Sequence, residues 1–149
     1  MRGLIEKFIC VCSCIPDWIY TTLARIVIGL TFFRSGLTKV DENYAVLSKT
    51  YSLFNDVYFA NLPLPKGLID ILAFKATYAE LILPLLLFIG FATRFAALGL
   101  LIMTAVIQTF VFPGAYLTHG LWAVALLAII IKGAGPLSVD HFIRQSNPK

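Results

Sequence analysis

Polar and apolar positions divide the chain into blocks of unequal purity. From Phe95 to Ile131 there are 37 consecutive residues without Asp, Glu, Lys or Arg. A bilayer core of ~30 Å takes about 20 helical residues, so this run predicts two membrane spans, with Pro113-Gly114 as the turn between them. Those spans are read as 95–112 and 117–132. Two less pure blocks predict two more: 18–37, which carries Arg25 and Arg34, and 68–92, which carries Asp70, Lys75 and Glu80. The expected fold is therefore all-α, an integral membrane four-helix bundle forming one domain over residues 1–149.

The connecting segments have periodicity of their own. In the loop 38–67, Tyr44, Leu47, Tyr51, Phe54 and Tyr58 recur three and four apart opposite Asn43, Ser48, Lys49, Ser52 and Asn55. That pattern predicts an amphipathic helix over the outer mouth of the bundle, ending at the stiff Leu-Pro-Leu-Pro turn. It reads either as an interfacial anchor or as a lid over a ligand or partner site. Near the N-terminus, Leu4, Ile5, Phe8, Ile9 and Cys12 form an apolar stripe beside Glu6 and Lys7, which predicts a short helix on the membrane surface. The lack of a small-x-small cleavage site argues against a signal peptide there.

Composition agrees with the pattern. Apolar residues make up 59% and charged residues 13% of the 149, about half the charge of an ordinary soluble chain. Lys and Arg outnumber Asp and Glu by 12 to 8. Their distribution gives an orientation: Arg2, Lys7, Arg94, Lys132, Arg144 and Lys149 fall on one side, against Lys39, Lys49 and Lys66 on the other. Cytoplasmic loops collect cations, so both termini are expected in the cytoplasm. The net charge of +4 is accounted for by that bias, and no nucleic-acid partner is implied.

Ionisable residues inside the spans mark candidate sites, since each is costly in hydrocarbon unless paired or hydrated. Levelling the inner ends of spans one and two at Trp18 and Ala92, and counting ~1.5 Å per residue, puts Arg25 about 10 Å deep and Glu80 about 18 Å deep. A charge-assisted bond between Arg25 and Glu80 is then expected, as a staple of the two helices or as part of proton or ligand handling. Gly29 and Gly36 share a face with Arg25 and Phe32, which would let another helix pack closely. Arg34 falls on the opposite face, pointing to lipid headgroups or to a second subunit in a homodimer. Lys39, Lys75, Gln108, His119 and Trp122 fall with Arg34 in the outer half and define a candidate ligand or partner pocket. For His119 beside Trp122, the plainer reading is a hydrogen-bonded residue of the aromatic belt.

Metal and cofactor signals are sparse. Cys10, Cys12 and Cys14 would suit a soft ion such as Cu(I), but two-residue spacing and the lack of a nearby His favour plain reduced thiols. No nucleotide-binding, structural-zinc or paired-His haem signature occurs, so a cofactor would be a quinone held between helices or would belong to a partner. The chain has no self-contained catalytic motif and would be at most a subunit of a membrane oxidoreductase.

Five segments in order, Leu23-Ala-Arg-Ile-Val-Ile-Gly-Leu, Arg34-Ser-Gly-Leu-Thr-Lys39, Ala79-Glu80, Gly90-Phe-Ala-Thr-Arg94 and Gly135-Pro-Leu-Ser-Val-Asp140, resemble the DoxX family of small bacterial membrane proteins. The resemblance runs from Leu23 to about Phe142. Gln108-Thr-Phe-Val-Phe-Pro-Gly and Thr118-His-Gly-Leu-Trp122 are similar to members found with small metal-associated peptides, the bufferin-type systems. The resemblance implies an inner-membrane protein linked to redox chemistry, because relatives serve thiosulfate:quinone oxidoreductase or accompany superoxide dismutase or a sulfurtransferase. It makes Arg25, Gly36, Lys39, Glu80 and Arg94 the positions of interest; Arg34 stands where many members have a neutral residue. Two functions follow as expectations. One is a membrane subunit or partner, of a soluble oxidoreductase for instance, in a redox or stress-response system. The other is a non-enzymatic component that handles or transports a metal-associated peptide or small solute.

Overall fold

The computed structural model describes residues 2–146, without the side chains of Arg2, Leu4, Phe8, Val11 and Cys12. The described chain is helical: α1 Arg2–Ser13, α2 Asp17–Leu37, α3 Ser48–Leu53, α4 Lys66–Ile89, α5 Thr93–Val106, α6 Tyr116–Lys132 and α7 Val139–Ser146. Two π-helical segments, Phe54–Tyr58 and Ile107–Val111, extend α3 and α5, and a 3-10 turn at Pro113–Ala115 leads into α6. Three stretches are long and apolar enough to cross a membrane, Lys66–Ile89, Thr93–Val111 and Pro113–Lys132. The fourth long helix, α2, contains Asp17, Arg25 and Arg34 and lies outside that set.

Helix α2 packs against α4 and α6, and α5 packs against both of them. The shared core is Ile28, Phe32, Leu87, Ala96, Ala97, Leu100, Leu126 and Ile129, and Leu87, Ala97, Leu100, Leu126 and Ile129 are wholly buried. The opposite faces are as apolar as the core: Leu23, Val27, Ile82, Leu121 and Val124 are all more than half exposed or nearly so. A fold with apolar groups both inside and outside has hydrocarbon as its solvent.

Contact between α2 and α4 depends on glycine. A Cβ on Gly29 would lie 2.5 Å from the Phe88 ring, and one on Gly36 would lie 2.8 Å from Leu81 Cδ2 and 3.2 Å from the backbone of Glu80. Gly29 thus faces Phe88 and Gly36 faces Leu81, and this antiparallel register places Arg25 level with Ala92 and Glu80 level with Leu37. It differs by seven residues, about 10 Å, from a levelling of Trp18 with Ala92. The N-terminal turns of α2 overhang the end of α4. They are covered instead by the segment after α6, where a Cβ on Gly135 would lie 2.8 Å from Trp18 Cβ.

The expected amphipathic segment between the first two long helices is shorter than its sequence pattern. Asp41 Oδ1 accepts the backbone N–H groups of Asn43 and Ala45 at 2.8 and 2.9 Å, and Leu47 N–H donates to Lys39 O, which closes a turn. Tyr44 has φ +61 in that turn and is exposed, so the helix begins only at Ser48. From there the aromatic stripe turns inward: Phe54 and Phe59 are buried against Ile69 and Ala73 of α4.

Candidate functional site

Beneath that aromatic segment lies a cavity of about 170 Å³. Its walls are mostly apolar and aromatic, including Phe32, Phe54, Tyr58, Phe59, Phe112 and Trp122, and its polar residues are Thr31, Ser35, Lys39, Glu80 and His119. The lid is a set of ring contacts: Tyr58 meets Phe112 at 6.2 Å and Phe59 meets Phe110 at 5.9 Å between centroids. Each π-helical segment supplies lining residues, as such segments often do at functional sites.

The polar groups are placed by backbone features a few residues away. Gly36 lets the Glu80 backbone approach α2, and Lys39 folds back from just beyond the C-terminus of α2. Lys39 Nζ then donates to Glu80 Oε2 and, at 2.9 Å, to Ser35 Oγ. The pair is enclosed, with Lys39 13% and Glu80 6% exposed at the side chain. Pro84 lies within α4 and has no N–H for the Glu80 carbonyl four residues earlier.

On the facing wall, His119 is buried, and its Nδ1 lies 2.6 Å from Gln108 Oε1. Gln108 Nε2 donates to Pro113 O at 2.6 Å, which fixes the amide so that its oxygen faces the imidazole. Nδ1 is therefore the donor, and in the corresponding tautomer of the imidazole the acceptor lone pair lies on Nε2. The ring also packs on Trp122 at 5.0 Å, and Trp122 on Phe32 at 5.4 Å. Burial, and next the nearby Glu80 carboxylate, hold the Tyr58 phenol above its usual range, so it stays an O–H donor at neutral pH.

Arg25 and Glu80 are not partners, which corrects the expected pair. Arg25 is 2% exposed and donates to four carbonyls. Its Nε bonds Leu87 O at 2.8 Å, its Nη2 bonds Phe88 O at 3.2 Å, and its Nη1 bonds Ala134 O and, at 3.3 Å, Leu137 O. The cause is the seven-residue register difference, which sets Arg25 beside the last turn of α4, where carbonyls lack helical partners.

That end of the molecule forms a second polar knot. Gly90 ends α4 at φ +70, and Asp140 N–H donates to its carbonyl at 2.9 Å. The Asp140 carboxylate accepts the N–H groups of Ala92 and Thr93 at 2.8 and 2.9 Å, capping α5. Burial opposes the Asp140 charge, but those amide bonds and nearby Arg25 outweigh it and hold the carboxyl below the usual range.

The remaining predicted residues fall outside the cavity or behind it. Lys39, Glu80, His119 and Trp122 line it, and Gln108 acts through His119. Arg34 and Lys75 are exposed and do not reach it. Cys10 and Cys14 are exposed free thiols, the Cys12 side chain lies outside the described residues, and no metal-binding cluster occurs among the described residues. Sequence reasoning missed Ser35, Phe59 and the Asp140 cap. Ser35 could have been found, since it lies one turn before Lys39 on the face that carries Phe32.

Helices with lipid-type exteriors around a mostly apolar cavity that carries a few polar groups define a helical membrane protein. Residues 20–114 match the DoxX family model, and the chain belongs to the DoxX family. It is also 32% identical over 137 residues, 85% of this chain and 84% of the other, to a protein of Haemophilus influenzae described as an uncharacterized protein. No solved structure matches.

Proposed function

We propose that α2, α4, α5 and α6 all cross the bacterial inner membrane as a four-helix bundle with both termini cytoplasmic, and that the cavity holds the ring of a quinone-class ligand. In this reading the protein is a membrane subunit or partner of a redox or stress-response system. The observation that carries it is the cavity itself: apolar and aromatic walls converge on Lys39, Glu80 and His119, the usual make-up of a small-ligand site. Its volume of about 170 Å³ suits one six-membered ring, since an apolar cavity of about 150 Å³ takes benzene. Lys39 and Tyr58 offer donors to ring oxygens, and His119 and Glu80 offer acceptors to the corresponding hydroxyls. A bound quinone would supply the electron and proton transfer.

The alternative, passage of a solute or metal-associated peptide, draws less support. Leu87, Leu100, Leu126 and Ile129 are wholly buried in the core beyond the cavity, which makes it a blind site rather than a path.

Fluorescence titration of the detergent-purified protein with ubiquinone-0 and menadione tests the reading. Saturable quenching that disappears in Trp122→Phe, leaving Trp18 as reporter, and weakens in Lys39→Met supports it. An absence of saturable binding by either quinone refutes it.

A further inference from the structure

We propose a second binding site, independent of the cavity, for the phosphodiester headgroup of an anionic phospholipid at the α7 end of the molecule. A cleft of about 200 Å³ there is lined by Arg94, Lys132, His141 and Arg144 over the Gly133–Ser138 turn. An adjoining groove of about 310 Å³ shares Arg94, Gly133 and Arg144 and continues to Phe95 and Ile143.

The charge balance of the cleft favours an anion. Its one carboxylate, Asp140, is engaged by the N–H groups of Ala92 and Thr93 and lies close enough to Arg25 to feel its charge. Lys132 is shared with Asp17 at 2.7 Å, on side chains about half exposed. Arg94 uses one of its five N–H groups on Ile131 O at 3.3 Å. Its guanidinium lies over Gly133, where a Cβ would stand 3.6 Å from Nε. Arg144 is exposed on α7. Two guanidiniums thus line one cleft, and their planar forks of donors suit phosphate oxygens.

What makes the ligand a lipid rather than a free anion is the apolar border. Phe95, 79% exposed, lines the groove with Arg94 and Arg144, and Ile131 at 67%, Leu137 at 63% and Phe142 at 65% each adjoin a lining residue of the cleft in sequence. On α7, Val139, Phe142 and Ile143 recur at helical spacing against His141, Arg144 and Gln145, which suits a helix lying in the headgroup layer. Acyl chains would run along Phe95 and Ile143 while the phosphate meets Arg94 and Arg144. Basic pockets at helix ends on one leaflet take anionic headgroups on this principle.

The test uses the full chain in dodecyl maltoside micelles carrying dioleoylphosphatidylglycerol or dioleoylphosphatidylcholine at equal mole fraction, with retained lipid counted by native mass spectrometry. Phosphatidylglycerol is expected to bind roughly thirtyfold more tightly, since Arg94 and Arg144 contribute about 1 kcal/mol each and every 1.4 kcal/mol is tenfold. Arg94→Gln with Arg144→Gln should remove the preference, and the corresponding double Lys variant should keep most of it. On the wild-type protein, 0.5 M salt should shrink it, because exposed charges are screened. Equal retention of the two lipids, an unchanged preference in the folded double Gln variant, or an undiminished preference at high salt would overturn the proposal. Displacement of the lipid by inorganic phosphate at equal concentration would overturn it too, in favour of a free-anion site.

Discussion

Replacing Arg25 with Met tests whether this buried guanidinium serves structure or ligand chemistry. The side chain satisfies four carbonyls, two in the last turn of α4 and two in the segment after α6. Met fills similar volume but donates nothing. A buried acceptor left unmet costs about 1–3 kcal/mol. Ala134 and Leu137 belong to a surface turn that water can reach on a small movement, whereas Leu87 and Phe88 lie on a packed helix face. Counting only those two gives a loss of roughly 2–6 kcal/mol, a large part of the 5–15 kcal/mol that holds an ordinary domain together. Arg25→Lys keeps the charge but has three donors on a shorter stem, so it should fall between Met and wild type. The assay is thermal and SDS-induced unfolding of the purified protein, read by circular dichroism. Because Arg25 lies in the N-terminal half of α2 and the cavity is lined from Thr31 onward, the folded Lys variant should bind cavity ligands as wild type does. A Met variant within about 1 kcal/mol of wild type, or a Lys variant of normal stability that has lost cavity binding, would refute the reasoning.

Breaking one side of a buried ion pair costs about 3–5 kcal/mol, whereas replacing both partners can be neutral. Lys39→Met should therefore destabilise more than the double variant with Glu80→Gln, and more than Glu80→Gln alone, because Lys39 is nearer the rim; unfolding midpoints of the four proteins give the cycle. Gly90→Ala puts a Cβ 2.4 Å from Ser138 Cβ and 2.7 Å from Arg25 Nη2 at φ +70, so it should cost well over the ~1–2 kcal/mol of a left-handed residue. Gly67→Ala, with nothing within 4 Å and inside a helix, should instead be neutral or stabilising by up to about 1 kcal/mol. Asp140 is held below its usual pKa, so it contributes stability above the unfolded value of about 3.9 and loses it as pH falls through the folded value. Asp140→Asn should lower the melting temperature at pH 7 and flatten its decline below about pH 4, in a series from pH 7 to pH 3.

Helix existence was legible because membrane helices are written in long apolar runs, charge-free from Phe95 to Ile131, where Pro113-Gly114 marked the turn between the last two. The loop helix was legible only in part. Its stripe of Tyr44, Leu47, Tyr51, Phe54 and Tyr58 has helical spacing throughout, yet Asp41 captures the amides of Asn43 and Ala45 and delays the helix to Ser48. Periodicity cannot see that competition, because a side chain bonding its own backbone leaves the apolar pattern unchanged. The two π segments were invisible for a related reason: one extra residue in a helical turn re-aims Gln108 without altering composition. Of the candidate site, residue types were readable and partners were not. Lys39, Glu80, His119 and Trp122 were each singled out, but pairing depends on the relative height of two helices, and hydrophobicity defines helix ends too loosely to set it.

Height was nevertheless encoded, in the small residues. Gly29 and Gly36 lie seven apart on α2, and Phe88 and Leu81 lie seven apart on α4, so two close approaches lock one antiparallel register. In that register both costly charges of these helices fall at helix ends. Arg25 meets the terminal carbonyls of α4, which have no helical partners of their own, and Glu80 meets Lys39 just past the terminus of α2. A register seven residues away would have set Arg25 deeper against α4, beside carbonyls already bonded within the helix, and moved Glu80 out of reach of Lys39. The glycine face therefore acts on the cavity through register. It decides which carboxylate the lysine finds, and so which polar groups line the cavity under Tyr58 and Phe59.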